Sequence, residues 1–165
     1  MLVAAMNPCP CGYYGHPTRQ CICNQGQVSK YLSKVSGPLL DRFDIHVEVP
    51  PVEFDNISSA AKEESSASIR ERVQAAREIQ NKRFKGTNIT CNAKITPDLL
   101  PEVCAMTDKA RETLKNVFEK MGLSARAYDR ILKVARTIAD MNGSEIIDKP
   151  HIAQAVQFRS LDFHI

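Results

Sequence analysis

The chain has no apolar run as long as the roughly 18 residues that a transmembrane helix needs. It also has no basic N-terminal stretch followed by an apolar segment and a small-residue cleavage site, so no signal peptide is predicted. Its net charge of +3 is too small to indicate nucleic-acid binding by itself. These absences predict a soluble, cytoplasmic protein with no membrane partner.

The motifs that bind nucleotide phosphates are missing as well. No segment matches G-x-x-x-x-G-K-[ST], whose backbone amides cradle phosphates. No apolar strand ends in Asp-Glu, the pair that would hold Mg²⁺. We therefore expect no ATP hydrolysis from these 165 residues alone.

What is present predicts a mainly α-helical fold. Apolar residues recur at helical spacing over about Ser65 to Lys85. Helix-capping residues follow, with short connections between the helices that they open, at Thr96, Thr107, Ser124 and Asp148. We expect a small four-helix bundle.

Two segments in the first part of the chain have the pattern of buried strands. Leu2–Met6 is continuously apolar, and Ile45–Val49 is closed by Pro50-Pro51. Two strands make no stable sheet alone, so we expect them to be the remnant of a parallel α/β core in a fragment of a longer protein. The predicted organisation is a partial core over residues 1–52, a polar linker over 53–68 and a helical domain over 69–165.

Four cysteines cluster between the predicted strands, as Cys9-Pro10-Cys11 and Cys21-Ile22-Cys23. In extended backbone, residues two apart point the same way, so each pair offers two thiolates to one metal. Four thiolates suit structural Zn²⁺, with His16 as a substitute ligand. The alternatives are reduced, unligated thiols and an iron–sulfur cluster. Simple burial is expected for Cys91 and Cys104.

The segment Gly37-Pro38-Leu39-Leu40-Asp41-Arg42-Phe43-Asp44 holds an arginine between apolar anchors. The planar guanidinium fork of Arg42 suits phosphate, and such a residue can stabilise the charge on a transferring phosphoryl group. The alternative is a surface pair between Arg42 and Asp41 or Asp44 at a helix end.

Three elements in sequence order carry a family resemblance: Ala4-Ala5-Met6-Asn7-Pro8, then Leu39-Leu40-Asp41-Arg42-Phe43, then a helix opening with Ser124-Ala125-Arg126. Together they resemble the second half of an AAA+ ATPase of the magnesium-chelatase-like family. The first two elements are also similar to minichromosome-maintenance helicases. The resemblance covers nearly the whole chain.

The resemblance implies a role for each of three residues. Asn7 would be the sensor-1 amide that orients the attacking water. Arg42 would be the arginine finger that acts on the ATP of a neighbouring subunit in a hexameric ring. Arg126 would be the sensor-2 arginine at the start of a lid helix. ATP and Mg²⁺ would be bound in the full-length protein, whose phosphate-binding loop would lie upstream.

The sequence says less about the substrate of the full-length protein than about its nucleotide chemistry. Residues 66–86 carry six cations against Glu71 and Glu78, which suits either DNA or a solvated helix face. The family is associated with remodelling DNA, so DNA is a possible partner. The alternative function is a zinc-containing helical module that binds DNA or protein without nucleotide chemistry.

Overall fold

The protein is described by a computed structural model covering residues 1–52 and 64–159. The described chain is mainly helical, as predicted. Its α-helices are α1 Gln25–Leu32, α2 Gly37–Leu40, α3 Ser66–Arg83, α4 Leu100–Val103, α5 Asp108–Met121, α6 Ala125–Met141 and α7 Lys149–Gln157, with a 3-10 turn at Asn92–Lys94. No helix within residues 1–52 and 64–159 combines the length and hydropathy that crossing a bilayer requires.

Side-chain caps set where the long helices begin. The hydroxyl groups of Ser65, Thr107 and Ser124 each accept a hydrogen bond from the backbone N–H three residues on, at 3.1–3.2 Å. These bonds satisfy amides that the first helical turn leaves free. Gly122 ends α5 at φ 59°, a conformation that glycine adopts without steric cost.

The helix expected to start at Thr96 is the exception among the predicted caps. Residues 96–99 first form a turn, in which the Leu99 N–H donates to the Thr96 carbonyl at 3.0 Å. Helix α4 begins only at Leu100 and spans four residues. The Thr96-Pro97 pair therefore opens a turn and not the helix itself.

Helix α6 is the centre of the hydrophobic core. Helix α7 packs against both α5 and α6, while α3, α4 and the 3-10 turn pack against α6. The buried apolar face of α6 consists of Ala127, Ile131, Leu132, Ala135, Ile138 and Ala139. Tyr128 of the same helix is half-buried.

The two expected strands are not formed in the described chain. Leu2 and Val3 are 75% and 79% exposed, and Ile45 and Val47 are 51% and 61% exposed. The β-pairing found among the described residues is an isolated parallel bridge between Met106 and Ile147. A strand needs a neighbouring strand to pair with, and among the described residues neither segment has one; the hydrogen bond from the His46 N–H to the Phe158 carbonyl forms no ladder. The predicted linker lies mostly outside the described residues, although residues 66–68 belong to α3.

A buried carboxylate joins three elements of the bundle. Asp140 of α6 accepts hydrogen bonds from the Arg83 guanidinium at 2.8 Å, the Asn92 side-chain amide at 2.7 Å and the Arg136 Nε at 3.1 Å. The side chains of Asp140 and Arg136 are 0% and 1% exposed. Arg136 also donates to the carbonyls of Ser144 and Glu145 beyond the end of α6. Asp140 therefore binds α3 and the 3-10 turn directly, and Arg136 extends the network to the connection into α7.

We predict that Asp140→Ala lowers the free energy of unfolding by about 3–5 kcal/mol, because it leaves the buried Arg136 guanidinium without its counter-charge. Urea denaturation followed by circular dichroism measures this. The matched control is Glu119→Ala, which removes an exposed pair with Lys115 at 3.8 Å and should cost only about 0–1 kcal/mol. Equal losses for the two variants would contradict a structural role for the buried network.

Candidate functional site

The four clustered cysteines converge on one point. Their Sγ atoms all lie within 4.8 Å of one another, and all four thiols are free. The Sγ of Cys9 lies 3.4 Å from that of Cys11 and 3.7 Å from that of Cys21. The chain turns after Cys9, where the Gly12 N–H donates to the Cys9 carbonyl at 3.0 Å, and it leaves this turn through the positive φ of 84° at Gly12, which glycine adopts without steric cost. Residues from both ends of the loop thus share one small volume.

The spacing of the sulfurs fits a single tetrahedral metal ion. A Zn–S bond of about 2.3 Å gives a tetrahedron whose sulfurs are roughly 3.8 Å apart, close to the 3.4–3.7 Å that separate the sulfurs of Cys9, Cys11 and Cys21. A [4Fe–4S] cluster binds each thiolate to a different iron, which spreads the sulfurs further. His16 is not part of the group, since its Nδ1 accepts from the backbone N–H groups of Thr18 and Arg19.

Backbone donors in the loop favour the thiolate form at Cys11, whereas the pKa values of Cys21 and Cys23 are raised, because burial and the neighbouring Cys11 sulfur outweigh the backbone donors there. The backbone N–H of Tyr13, followed by that of Ile22, lowers the pKa of Cys11 to about 6. Cys104, by contrast, is buried in the helical core, and burial raises its pKa to about 11. Cys104 is therefore an inert core thiol, as expected, whereas Cys91 is only half-buried.

Arg42 follows the short helix α2, which Ser36 caps and whose Leu40 is buried. The guanidinium of Arg42 is on the surface and donates to the Pro38 carbonyl one turn earlier, at 3.0 Å. Within the described residues, Arg42 makes no ion pair. The alternative of a surface pair with Asp41 or Asp44 is therefore wrong for the described structure.

The two aspartates beside Arg42 contact the helical bundle instead. Asp41 accepts from the Ser124 hydroxyl at 3.1 Å, and Asp44 forms an ion pair with Arg130. Ser124 is the residue that caps α6. The segment containing Arg42 is thus attached at the N-terminal end of the helix that carries Arg126.

Arg126 lies exposed in the first turn of α6, as its position after the Ser124 cap predicts. It borders a shallow pocket of about 180 Å³, whose other lining residues are Asp44, Ala93, Asp129, Arg130 and Lys133. Three cations against two carboxylates make this pocket net positive, and it adjoins the free amides of a helix N-terminus, which favour anions.

Asn7 makes no polar contact with Arg42 or Arg126 among the described residues. The exposed side chain of Asn7 lies beside Gly12 of the cysteine loop. Its Nδ2 would be 3.7 Å from the Cβ of any larger residue at position 12. Over residues 1–52 and 64–159, no hydrogen bond or ion pair joins Asn7 to Arg42 or Arg126. The structure therefore brings together Arg42 and the helix of Arg126, and it groups Asn7 with the cysteines.

The basic stretch of α3 is less basic at its surface than its sequence suggests. Arg83 is bound to the buried Asp140, and Arg72 pairs with Glu64 at 2.6 Å. The exposed cations that remain outside these pairs are Arg70, Arg77, Lys82 and Lys85.

Sequence reasoning missed the partners that hold the Arg42 segment, among them Arg130 and Arg159. Arg159 donates to the Phe43 carbonyl at 2.7 Å although 116 positions separate the two residues. No local pattern identifies such distant contacts; the acidic residues on both sides of Arg42 were the available signal.

Two family descriptions match this chain. "Magnesium chelatase, subunit ChlI" matches residues 1–57, and "Magnesium chelatase, subunit ChlI C-terminal" matches residues 63–159. The first match contains Asn7, the four clustered cysteines and Arg42, and the second contains Arg126.

Individual relatives agree with the family match. The chain is 42% identical over 162 residues to competence protein ComM of Haemophilus influenzae, covering 97% of this chain and 30% of that protein. It is 42% identical over 163 residues to the uncharacterized protein YifB of Escherichia coli, covering 98% of this chain and 31% of that protein. The uncharacterized protein Rv2897c of Mycobacterium tuberculosis is 35% identical over 158 residues, which cover 96% of this chain and 31% of the relative. The chain thus spans about three-tenths of the length of these relatives, and its two matched segments show that it belongs to the magnesium chelatase ChlI family.

Proposed function

We propose that this chain is the arginine-finger and lid part of a ring-forming AAA+ ATPase. The observation that supports it most is the state of Arg42, an exposed guanidinium with no ion pair in the described structure, on a segment attached to the helical bundle. An arginine held in this way is suited to reach a phosphate outside its own subunit. Membership of the magnesium chelatase ChlI family is the second support for this proposal.

In this proposal, Arg42 acts on the ATP bound to a neighbouring subunit. Its fork would stabilise the negative charge that grows on the γ-phosphoryl group in the transition state. Arg126 would contact nucleotide phosphates from the first turn of α6, and Asn7 would orient the attacking water. ATP and Mg²⁺ would be held mainly by a phosphate-binding loop outside these 165 residues, so this chain alone would not hydrolyse ATP.

We further propose that Cys9, Cys11, Cys21 and Cys23 hold one structural Zn²⁺. Four protein thiolates would complete a tetrahedral shell and leave no position for a substrate. The loop that they close separates Asn7 from the segment of Arg42 in the sequence, so a bound ion would stiffen the path between those two residues. The same closed site would suit the alternative function, a helical binding module without nucleotide chemistry.

DNA is the proposed substrate of the remodelling activity. Helix α3 and the turn after it expose four cations that can contact DNA phosphates at the surface of the bundle: Arg70, Arg77, Lys82 and Lys85. Four such contacts would give weak, salt-sensitive binding, which suits an enzyme that moves along or releases its substrate.

The finger is tested with Arg42→Ala in the full-length protein. We expect ATP hydrolysis to fall roughly a thousandfold while ATP binding is retained, because the finger acts on the transition state in a neighbouring site. Steady-state hydrolysis and fluorescent-nucleotide binding measure the two effects. Arg111→Ala, at an exposed arginine on α5, is the control and should retain activity. Normal hydrolysis by Arg42→Ala would contradict the finger role, whereas no ATP binding or hydrolysis by the unaltered full-length protein would favour the binding-module alternative.

The metal is tested by elemental analysis of protein purified without added metal. We expect one zinc per chain, lost in the double variant Cys9→Ser/Cys21→Ser because two of four ligands are removed. Cys91→Ser is the matched control and should keep the metal, since Cys91 lies outside the cluster. Iron in place of zinc, or equal zinc in both variants, would contradict the assignment.

DNA is tested by measuring ATP hydrolysis of the full-length protein with and without branched DNA. Stimulation is expected, and Arg70→Glu/Arg77→Glu should weaken DNA binding roughly tenfold or more at low salt, because each reversal removes a phosphate contact and adds repulsion. Arg111→Glu/Lys120→Glu, a double charge reversal at exposed positions of α5, is the matched control. Equal loss for both helices would indicate a general charge effect and not a surface on α3.

A further inference from the structure

Arg42 lies between two acidic residues that both contact the helical bundle of the same chain. On one side, the Asp41 carboxylate accepts from the Ser124 hydroxyl at 3.1 Å and lies 3.5 Å from the Arg159 guanidinium. On the other side, Asp44 pairs with Arg130. The carboxylates of both neighbours are therefore engaged away from Arg42.

Backbone contacts reinforce this attachment. Arg159 donates to the Phe43 carbonyl at 2.7 Å, and the His46 N–H donates to the Phe158 carbonyl at 2.6 Å. The Nε2 of His46 lies 3.2 Å from the Leu40 carbonyl oxygen. The Arg159 side chain is 1% exposed and that of Asp41 is 27% exposed, so this side of the attachment is largely withdrawn from water. Charged contacts in such a position are screened less than contacts on the surface.

The partners of the two aspartates lie on either side of a second arginine, Arg126, in the sequence. Ser124 is the N-cap of α6, and Arg130 lies in the second turn of that helix. Arg126, the proposed sensor-2 residue, lies between these two contact points. Arg42 on one segment and Arg126 on the other thus each lie, in sequence, between the same two polar contacts.

We propose that Asp41 and Asp44 are positioning residues that fix Arg42 to the N-terminal half of α6, so that finger and sensor-2 helix move as one unit within a subunit. This inference rests on the proposed function of Arg42 and Arg126. When nucleotide moves α6 in one subunit, the contacts carry the displacement to the arginine presented to the next subunit. The two arginines then report on adjacent nucleotide sites through one rigid element.

The expected effect is on position more than on stability. The Asp44 and Arg130 side chains are 49% and 27% exposed, and exposed pairs contribute little to folding. A small misplacement of a group that stabilises a transition state, by contrast, lowers the rate strongly. A positioning role therefore predicts a change in kcat at nearly constant melting temperature.

The test uses ATP hydrolysis by the full-length protein carrying Asp44→Arg. We expect kcat to fall about tenfold, KM for ATP to change less than about twofold and Tm to change by less than about 4 °C. Adding Arg130→Asp to this variant reverses the pair and should recover most of the lost kcat. Glu48→Gln is the control and should retain full activity, because Glu48 is exposed and makes no hydrogen bond or ion pair within the described residues.

Each other outcome has a defined meaning. Unchanged kcat in Asp44→Arg, or no recovery on reversing the pair, would overturn the positioning role. A fall in Tm comparable to that of Asp140→Ala would assign Asp44 a structural role and would overturn it too. If Arg42→Ala itself leaves hydrolysis intact, the proposed function fails first; if that variant is inactive while Asp44→Arg is normal, only the present inference fails.

Discussion

The arrangement of the bundle depends on one buried carboxylate. Asp140 is inaccessible to solvent on α6, and an unpaired charge there would be prohibitively unfavourable. Arg83 of α3 and Arg136, one turn earlier in α6, supply the positive charge that Asp140 requires. The Asn92 side-chain amide in the 3-10 turn donates a further hydrogen bond to the same carboxylate. Hydrophobic burial alone is non-directional. The shared carboxylate adds direction, because only one relative placement of these elements satisfies it.

Helix α6 connects this anchor to the candidate site. It spans 17 residues, or about 25 Å, with Asp140 in its last turn and the Ser124 cap at its beginning. Near its C-terminal end, α6 is bound to α3 and the 3-10 turn through Asp140, whereas its first turn exposes Arg126 and its Ser124 cap contacts the segment of Arg42. Helix α6 is therefore bound to the rest of the bundle near one end and to the segment of Arg42 near the other.

Local signals predicted the helices well and the long-range contacts poorly. A cap such as Ser124 is recognisable from its hydroxyl and the apolar spacing that follows, because the hydrogen bond spans three residues. The cysteine group was predicted in the same way, from two short repeats. The run Leu2–Met6 predicted a strand, but a strand is completed by a neighbour that its own residues do not specify, and none lies in the described chain. The pairing of Asp44 with Arg130 crosses 86 positions and has no local signature at all.

Those long-range contacts also resolve an electrostatic conflict within the Arg42 segment. Two carboxylates adjacent in sequence to a guanidinium would ordinarily attract it and reduce its availability to an external phosphate. In this structure Ser124 and Arg159 engage Asp41, and Arg130 engages Asp44. The acidic residues are thereby used for attachment, while the guanidinium of Arg42 donates only to the neutral Pro38 carbonyl among the described contacts. The same contacts that hold the segment in place thus leave the cationic charge of Arg42 uncompensated by its own chain, which is the condition that a residue acting on a neighbour's phosphate requires.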